Sequence, residues 1–382
     1  MINKKTDMSN YIPVNTPLLN GNEKKYLNEC IDSGWISSDG PFVKEFEEKF
    51  SKRVNRKYGI SVCNGSVALD LAVIALGIGK GDEVIMPTFT IISCAAAIVR
   101  SGAIPIYVDS DPTSWNIEVN AIEQKISKKT KAIMAVHIYG LPVQMDKVIE
   151  LAKKYNLLII EDAAEMHGQK YNQKECGSFG DISCFSFYPN KHITTGEGGM
   201  IVTNDEYLAN KCKSLRNLCF IPKRRFLHEE LGWNYRFTNL QAAIGLAQLE
   251  RLDEFIERKR HIGKMYLALL KDLVGIQLPL EKTIYAENIF WVFGLVLDKR
   301  IKQSAYNIMQ KLEISGIGTR PFFYPMHSQP ALKKYNKFNT SLYPVADNIA
   351  QNGFYLPSGL GLTDESIIFV ANKLKEIIYE SF

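Results

Sequence analysis

Between residues 57 and 205 the chain alternates short, mostly apolar runs with amphipathic stretches. Runs at 58–63, 83–86, 104–108, 132–137, 157–161, 182–187 and 200–203 carry Ile or Val and few charges, which predicts strands buried on both faces. Apolar positions at helical spacing predict helices over 66–76, 93–101, 119–126 and 145–155. Strands separated by helices imply a mainly parallel sheet covered on both sides, with ligands collecting at the carboxyl ends of its strands.

Beyond this region, residues 240–271 read as one long helix, with Ile244, Leu246, Leu249, Leu252 and Ile256 at helical spacing. A smaller α+β unit follows: a strand at 290–297, a helix at 304–314, an extended segment at 318–324 and a terminal helix at 364–381. The expected division is 1–255 for an N-terminal segment and large domain, and 256–382 for a smaller C-terminal domain.

A chain of 382 residues, 46% hydrophobic and 23% charged, can bury a large core in two such units. No apolar segment approaches the length of a bilayer span. The net charge of +5 is modest, and the tightest basic cluster, Lys223-Arg224-Arg225, reads as a solvated loop rather than a nucleic-acid arm. Neither a nucleic-acid nor a membrane partner is expected. The seven cysteines form no CxxC pair, so no disulfide framework and no metal site is expected, and a reducing cytoplasm fits better. Residues 1–10 are polar and do not read as a secretory leader.

Three stretches could carry chemistry. In Val62-Cys63-Asn64-Gly65-Ser66, Gly65 permits a tight turn at a strand-to-helix junction. Ser66 there is either an ordinary helix N-cap or part of an anion site built on the helix N-terminus. Asp162 ends the strand at 157–161, where a carboxylate needs a partner or caps the next turn, and Glu165 lies three residues on. Lys191 stands between the aromatic run Phe185-Ser186-Phe187 and the turn Gly196-Glu197-Gly198-Gly199. A partly desolvated amine there would be a better nucleophile and proton shuttle. An amine that can hold an aldehyde as a Schiff base, and a carboxylate that can keep a pyridine nitrogen protonated, are what pyridoxal phosphate (PLP) asks of a protein.

With these stretches, together with Ser33-Gly34-Trp35, Gly81-Asp82-Glu83, His137-Ile138-Tyr139-Gly140 and Asn234-Tyr235-Arg236, the chain resembles the DegT/DnrJ/EryC1/StrS sugar aminotransferases over nearly its whole length. It is most similar to the perosamine and viosamine synthase branch. The resemblance implies an α/β PLP-dependent transferase of fold type I, its large domain built on a mixed, mainly parallel seven-stranded sheet. It implies that Lys191 binds the coenzyme covalently, that Asp162 pairs with the pyridine nitrogen and that Glu165 lies on the ring's hydroxyl side. Gly65, Ser66 and Ser186 would hold the phosphate, and Asn234 would reach the phosphate of a neighbouring subunit in a homodimer with shared sites. Trp35, Arg320 and His327 match substrate-side positions, although Trp35 could pack in the core and His327 could be a hydrogen-bonded structural histidine. Ile91 occupies the position of an aromatic ring that stacks on PLP in relatives, and Ala96 that of an asparagine.

The activity implied is ping-pong transamination from L-glutamate to a nucleotide-linked 4-keto-6-deoxysugar, giving a 4-amino-4,6-dideoxysugar for cell-surface polysaccharide or lipopolysaccharide. Ile91 and Ala96 leave open a rival, the same chemistry on a 3-keto sugar or small phosphorylated ketone, and a second rival is a non-catalytic PLP-binding protein on the same scaffold. Dehydratase relatives carry histidine where this chain has Lys191.

Overall fold

The computed structural model describes residues 11–221, 224, 226–335 and 342–382. The segment 1–10, on which the leader reading rests, lies outside them, as do Lys223 and Arg225 of the basic cluster. Two helices, α1 (Glu23–Ser33) and α2 (Pro41–Arg53), precede the sheet. Its strands are β1 (Tyr58–Val62), β2 (Glu83–Pro87), β3 (Ile104–Val108), β4 (Thr130–Val136), β5 (Leu158–Asp162), β8 (Ile182–Ser186) and β9 (Gly199–Thr203). A small hairpin, β6 (Lys170–Tyr171) with β7 (Lys174–Glu175), lies between β5 and β8.

The seven strands run in the order β1-β9-β8-β5-β4-β2-β3. Those from β8 to β3 pair in parallel, whereas β9 is antiparallel to both β8 and β1. The expected mixed, mainly parallel sheet is therefore present. Helices α3 (Gly65–Ala75), α4 (Ile92–Arg100), α5 (Met145–Tyr155) and α6 (Glu206–Arg216) connect or flank the strands. Alternate residues of β5 show how the sheet divides its core: Ile160 belongs to one apolar cluster and Ile159 to the other. A sheet buried on both faces needs strands without a polar face, and these strands have none.

The expected helix over 119–126 is instead two 3₁₀ turns, Val119–Ala121 and Glu123–Lys125. Glu118 accepts the Asn120 N–H at 3.0 Å, and main-chain bonds such as Ile122 N–H to Val119 C=O at 3.2 Å keep the tighter winding. The long helix expected over 240–271 is also corrected, into α7 (Asn239–Leu249) and α8 (Leu252–Leu270). Arg251 leaves helical backbone, with φ −114° and ψ 11°, while its guanidinium ties Glu254 at 2.6 Å and reaches back to Asn20. The 255/256 boundary falls inside α8.

The smaller sheet has the order β10-β11-β13-β12, from β10 (Ile276–Gln277), β11 (Phe293–Leu297), β12 (Arg320–Pro321) and β13 (Gly353–Leu356). Helices α8, α9 (Ala305–Ile314) and α11 (Asp364–Tyr379) contribute to a third apolar cluster with it, and α10 (Pro344–Asn352) leads into β13. No helix among the described residues is long and apolar enough to cross a membrane.

Candidate active site

A cavity of about 750 Å³ opens at the carboxyl ends of β4, β5 and β8, where a parallel sheet concentrates its ligands. Gly65, Ser66 and Ser186 line one side of it, Asp162, Glu165 and Lys191 the centre, and Ile91 and Arg320 the rim. The structure thus brings eight of the residues singled out from the sequence into one place.

The first turn of α3 is capped by Asn64, whose Oδ1 accepts the Val67 N–H at 3.0 Å, and not by Ser66. The Ser66 hydroxyl is left to meet Ser93 Oγ at 2.7 Å. A Cβ built on Gly65 would stand 2.7 Å from Ser186 Cβ and 3.0 Å from its Oγ. The glycine therefore lets the end of β8 close against the helix N-terminus, and amides, dipole and two hydroxyls converge as a phosphate requires.

Asp162, the last residue of β5, is 3% exposed. Its Oδ1 accepts the Ala164 N–H at 3.0 Å and its Oδ2 the Cys94 thiol at 3.1 Å. Glu165 Oε2 accepts the Tyr139 N–H at 2.8 Å, and its Oε1 lies 3.7 Å from Lys191 Nζ. Burial pushes the Glu165 carboxyl up to about 7 against the pull of the Lys191 charge. Burial likewise holds the Lys191 amine below the ordinary lysine range, with Glu165 and Asp162 opposing.

Lys191 sits on the loop 187–198, closed by hydrogen bonds from Phe187 N–H to Gly198 C=O at 2.8 Å and from Thr195 N–H to Phe187 C=O at 3.0 Å. The ring of Trp291 faces the amine, with Nζ 3.9 Å from its centroid. The sequence singled out neither Trp291 nor Cys94. Trp291 is distant in the chain and read only as the start of a strand. Cys94 read only as a small apolar filler, and no local signal marks either.

Three expected residues lie elsewhere. His327 does not line the cavity. It pairs its Nδ1 with Thr88 Oγ1 at 2.7 Å and its Nε2 with Asp347 Oδ1 at 3.1 Å, tying the segment before Ile91 to α10. Trp35 is 52% exposed and is not core packing, and Asn234 is exposed too, in neither the core nor the cavity of this chain.

His137, Glu161 and Cys176 bring one donor atom each within 4.8 Å of one another, a spacing that would suit a metal ion. Two of the three are already engaged: His137 Nδ1 accepts the Val143 N–H at 3.0 Å, so Nε2 carries the proton toward Glu161 at 3.1 Å. Glu161 also accepts from Phe179 N–H at 2.9 Å, Gly180 N–H at 3.0 Å and Ser183 Oγ at 3.0 Å.

A lysine this poorly solvated, facing the acid that ends a parallel strand and set across from a phosphate cradle, suits pyridoxal phosphate, and on this sheet it places the molecule among the PLP-dependent aminotransferases of fold type I. The chain belongs to the DegT/DnrJ/EryC1/StrS aminotransferase family, whose profile matches residues 17–375. It is 46% identical to the GDP-perosamine synthase of Escherichia coli O157:H7, with 96% of this chain and 98% of the relative covered. To the GDP-perosamine synthase of Vibrio cholerae it is 41% identical, covering 95% and 98%. Among solved structures, DesV of S. venezuelae in complex with a ketimine intermediate matches with a TM-score of 0.86 and 32% identity, covering 93% of each chain. The chain is a sugar aminotransferase that uses PLP.

Proposed function

We propose that this enzyme takes an amino group from L-glutamate and delivers it to C4 of a GDP-linked 4-keto-6-deoxyhexose, yielding a 4-amino-4,6-dideoxysugar. The observation that carries this reading is the end-to-end similarity to two GDP-perosamine synthases.

When bound, the coenzyme supplies an electron sink conjugated to the reacting carbon. The remaining work falls to the chain. Lys191 is the attachment point, and its amine, once free, carries a proton away from the donor's α-carbon and later returns one to the acceptor carbon. Asp162 would keep the pyridine nitrogen protonated, Glu165 would lie on the hydroxyl side, Gly65, Ser66 and Ser186 would hold the phosphate, and Ile91 would offer aliphatic cover at the rim. Arg320, at the rim, meets a negatively charged substrate group. Trp35 and Asn234, exposed on this chain, complete a site across a homodimer interface.

The test offers purified enzyme, PLP and glutamate a panel of acceptors: a GDP-linked 4-keto-6-deoxyhexose, 3-keto nucleotide sugars and small phosphorylated ketones. Release of 2-oxoglutarate with the 4-keto sugar alone supports the proposal, and release with one of the others instead overturns it. Lys191→Ala should abolish turnover with the circular dichroism spectrum unchanged; wild-type rates in that variant would sink the mechanism.

A further inference from the structure

The indole of Trp291 grips the lysine at both ends. Its Nε1–H donates to the carbonyl of Asn190 at 2.8 Å, on the main chain just before Lys191, while its π face lies 3.9 Å from Nζ. The indole is itself immobilised. It is 3% exposed, and its main-chain carbonyl accepts from Lys259 Nζ at 2.7 Å, an amine that also donates to the Ser358 carbonyl at 2.5 Å. Trp291 lies two residues before β11, so the grip runs from the edge of the smaller sheet to the lysine loop of the larger one.

A π face attracts an ammonium through its quadrupole and has little hold on a neutral amine. The other ionisable groups that act on the Lys191 amine are Glu165, Asp162 and Cys94, with His167 and His192 buried nearby. Burial pushes Glu165 up to about 7, so near neutrality it supplies only part of a negative charge. The indole does not titrate, so its attraction depends on the charge of the amine alone.

We infer that Trp291 is a positioning residue for Lys191: its π face is the resting surface of the amine whenever the amine is not attached to the coenzyme, and it favours the protonated form there. The role in turnover rests on Lys191 being the attachment point proposed above, whereas the hold on the free amine does not.

The experiment therefore uses coenzyme-free full-length protein. Ionisation of Lys191 is followed by competitive acetylation with isotopic acetic anhydride across pH, read by mass spectrometry on the Lys191 peptide. Tryptophan is replaced globally by 5-fluoro-, 5,7-difluoro- and 4,5,6,7-tetrafluorotryptophan, which drain the π face with little change of shape. Among the described residues, Trp291 is the tryptophan whose ring faces Lys191. The midpoint should fall stepwise along the series, by about 0.5–1 pH unit in total. Trp291→Leu should lower it as far, and Trp291→Phe should recover most of the loss. An unchanged midpoint across the fluorinated series overturns the inference, even if the leucine variant does not fold. If the midpoint shifts while the protein refuses PLP, the indole's hold stands and the attachment reading falls.

Discussion

Cys94 donates its thiol to Asp162 Oδ2 across 3.1 Å. Burial, with the Asp162 charge adding to it, pushes the thiol well above its usual range, so sulfur keeps its proton at neutral pH. With the Ala164 N–H on Oδ1, both oxygens are held and the carboxylate cannot swing.

Removing that thiol should loosen the acid proposed to meet the coenzyme nitrogen. Cys94→Ala should weaken PLP binding by about 3–10-fold, the worth of one modest hydrogen bond. Cys94→Ser restores a donor and should return most of the affinity. Fluorescence titration of apoenzyme with PLP measures both, and equal affinity in all three proteins would show that the thiol orients nothing.

Gly65→Ala should fold and bind PLP at least about tenfold more weakly. The new methyl would stand 2.7 Å from Ser186 Cβ, so the helix N-terminus must retreat from β8 and open the cradle. Affinity for PLP against that for pyridoxal, which lacks the phosphate, checks this. The difference between the two ligands should shrink in the variant.

Glu161 should govern acid stability. Burial alone would raise its carboxyl, but the hydrogen bond from His137 Nε2 and the amides of Gly177 and Gly180 outweigh that and hold it at about 2, against an ordinary 4.5. A depressed carboxyl stabilises fully above pH 4.5 and loses that contribution as pH falls toward 2, on the order of 3 kcal/mol in all. Urea melts should show Glu161→Gln less stable at pH 7 by about that amount, with a flatter slope between pH 4.5 and 2.

Glu165 runs the other way. Its carboxyl is raised to about 7 by burial, so in the coenzyme-free protein its contribution is fully present below pH 4.5 and is lost as pH rises through about 7. Glu165→Gln should remove this part of the slope in urea melts across pH 4.5–8. Lys191→Ala, which deletes the opposing charge, should move the loss to lower ionisation of Glu165, that is, to higher pH.

The strands of the large sheet were legible because a strand buried on both faces has no choice but to be apolar throughout, as Ile159-Ile160 and Ile201-Val202 are. The break between α7 and α8 was not, since Glu250-Arg251 carries neither glycine nor proline and the chain turns there because of what Arg251 reaches in space. Helices α1 and α2 went unread although their ends carry signals, Asn22 and Gly34 around α1 and Pro41 in the first turn of α2. In the site, Gly65, Asp162 and Lys191 announced themselves through strand ends and turns. Trp291 and Cys94 act by the direction their side chains take in the folded molecule, which spacing along the chain does not encode. His327 stayed open between a substrate contact and a hydrogen-bonded structural histidine for the same reason, its partners Thr88 and Asp347 being remote in sequence.

The reversal of β9 gives the lysine loop a ruler. Ser186 and Gly199 face each other across adjacent strands, so the span that bears Lys191 is pinned at both feet to a lattice whose pitch cannot stretch. A single residue inserted between them would leave every strand paired and carry the amine out of register with its neighbours. Drift in this lineage can therefore silence the enzyme without unfolding it, and the length of that arch is a sharper mark of a working copy than the composition of the core beneath it.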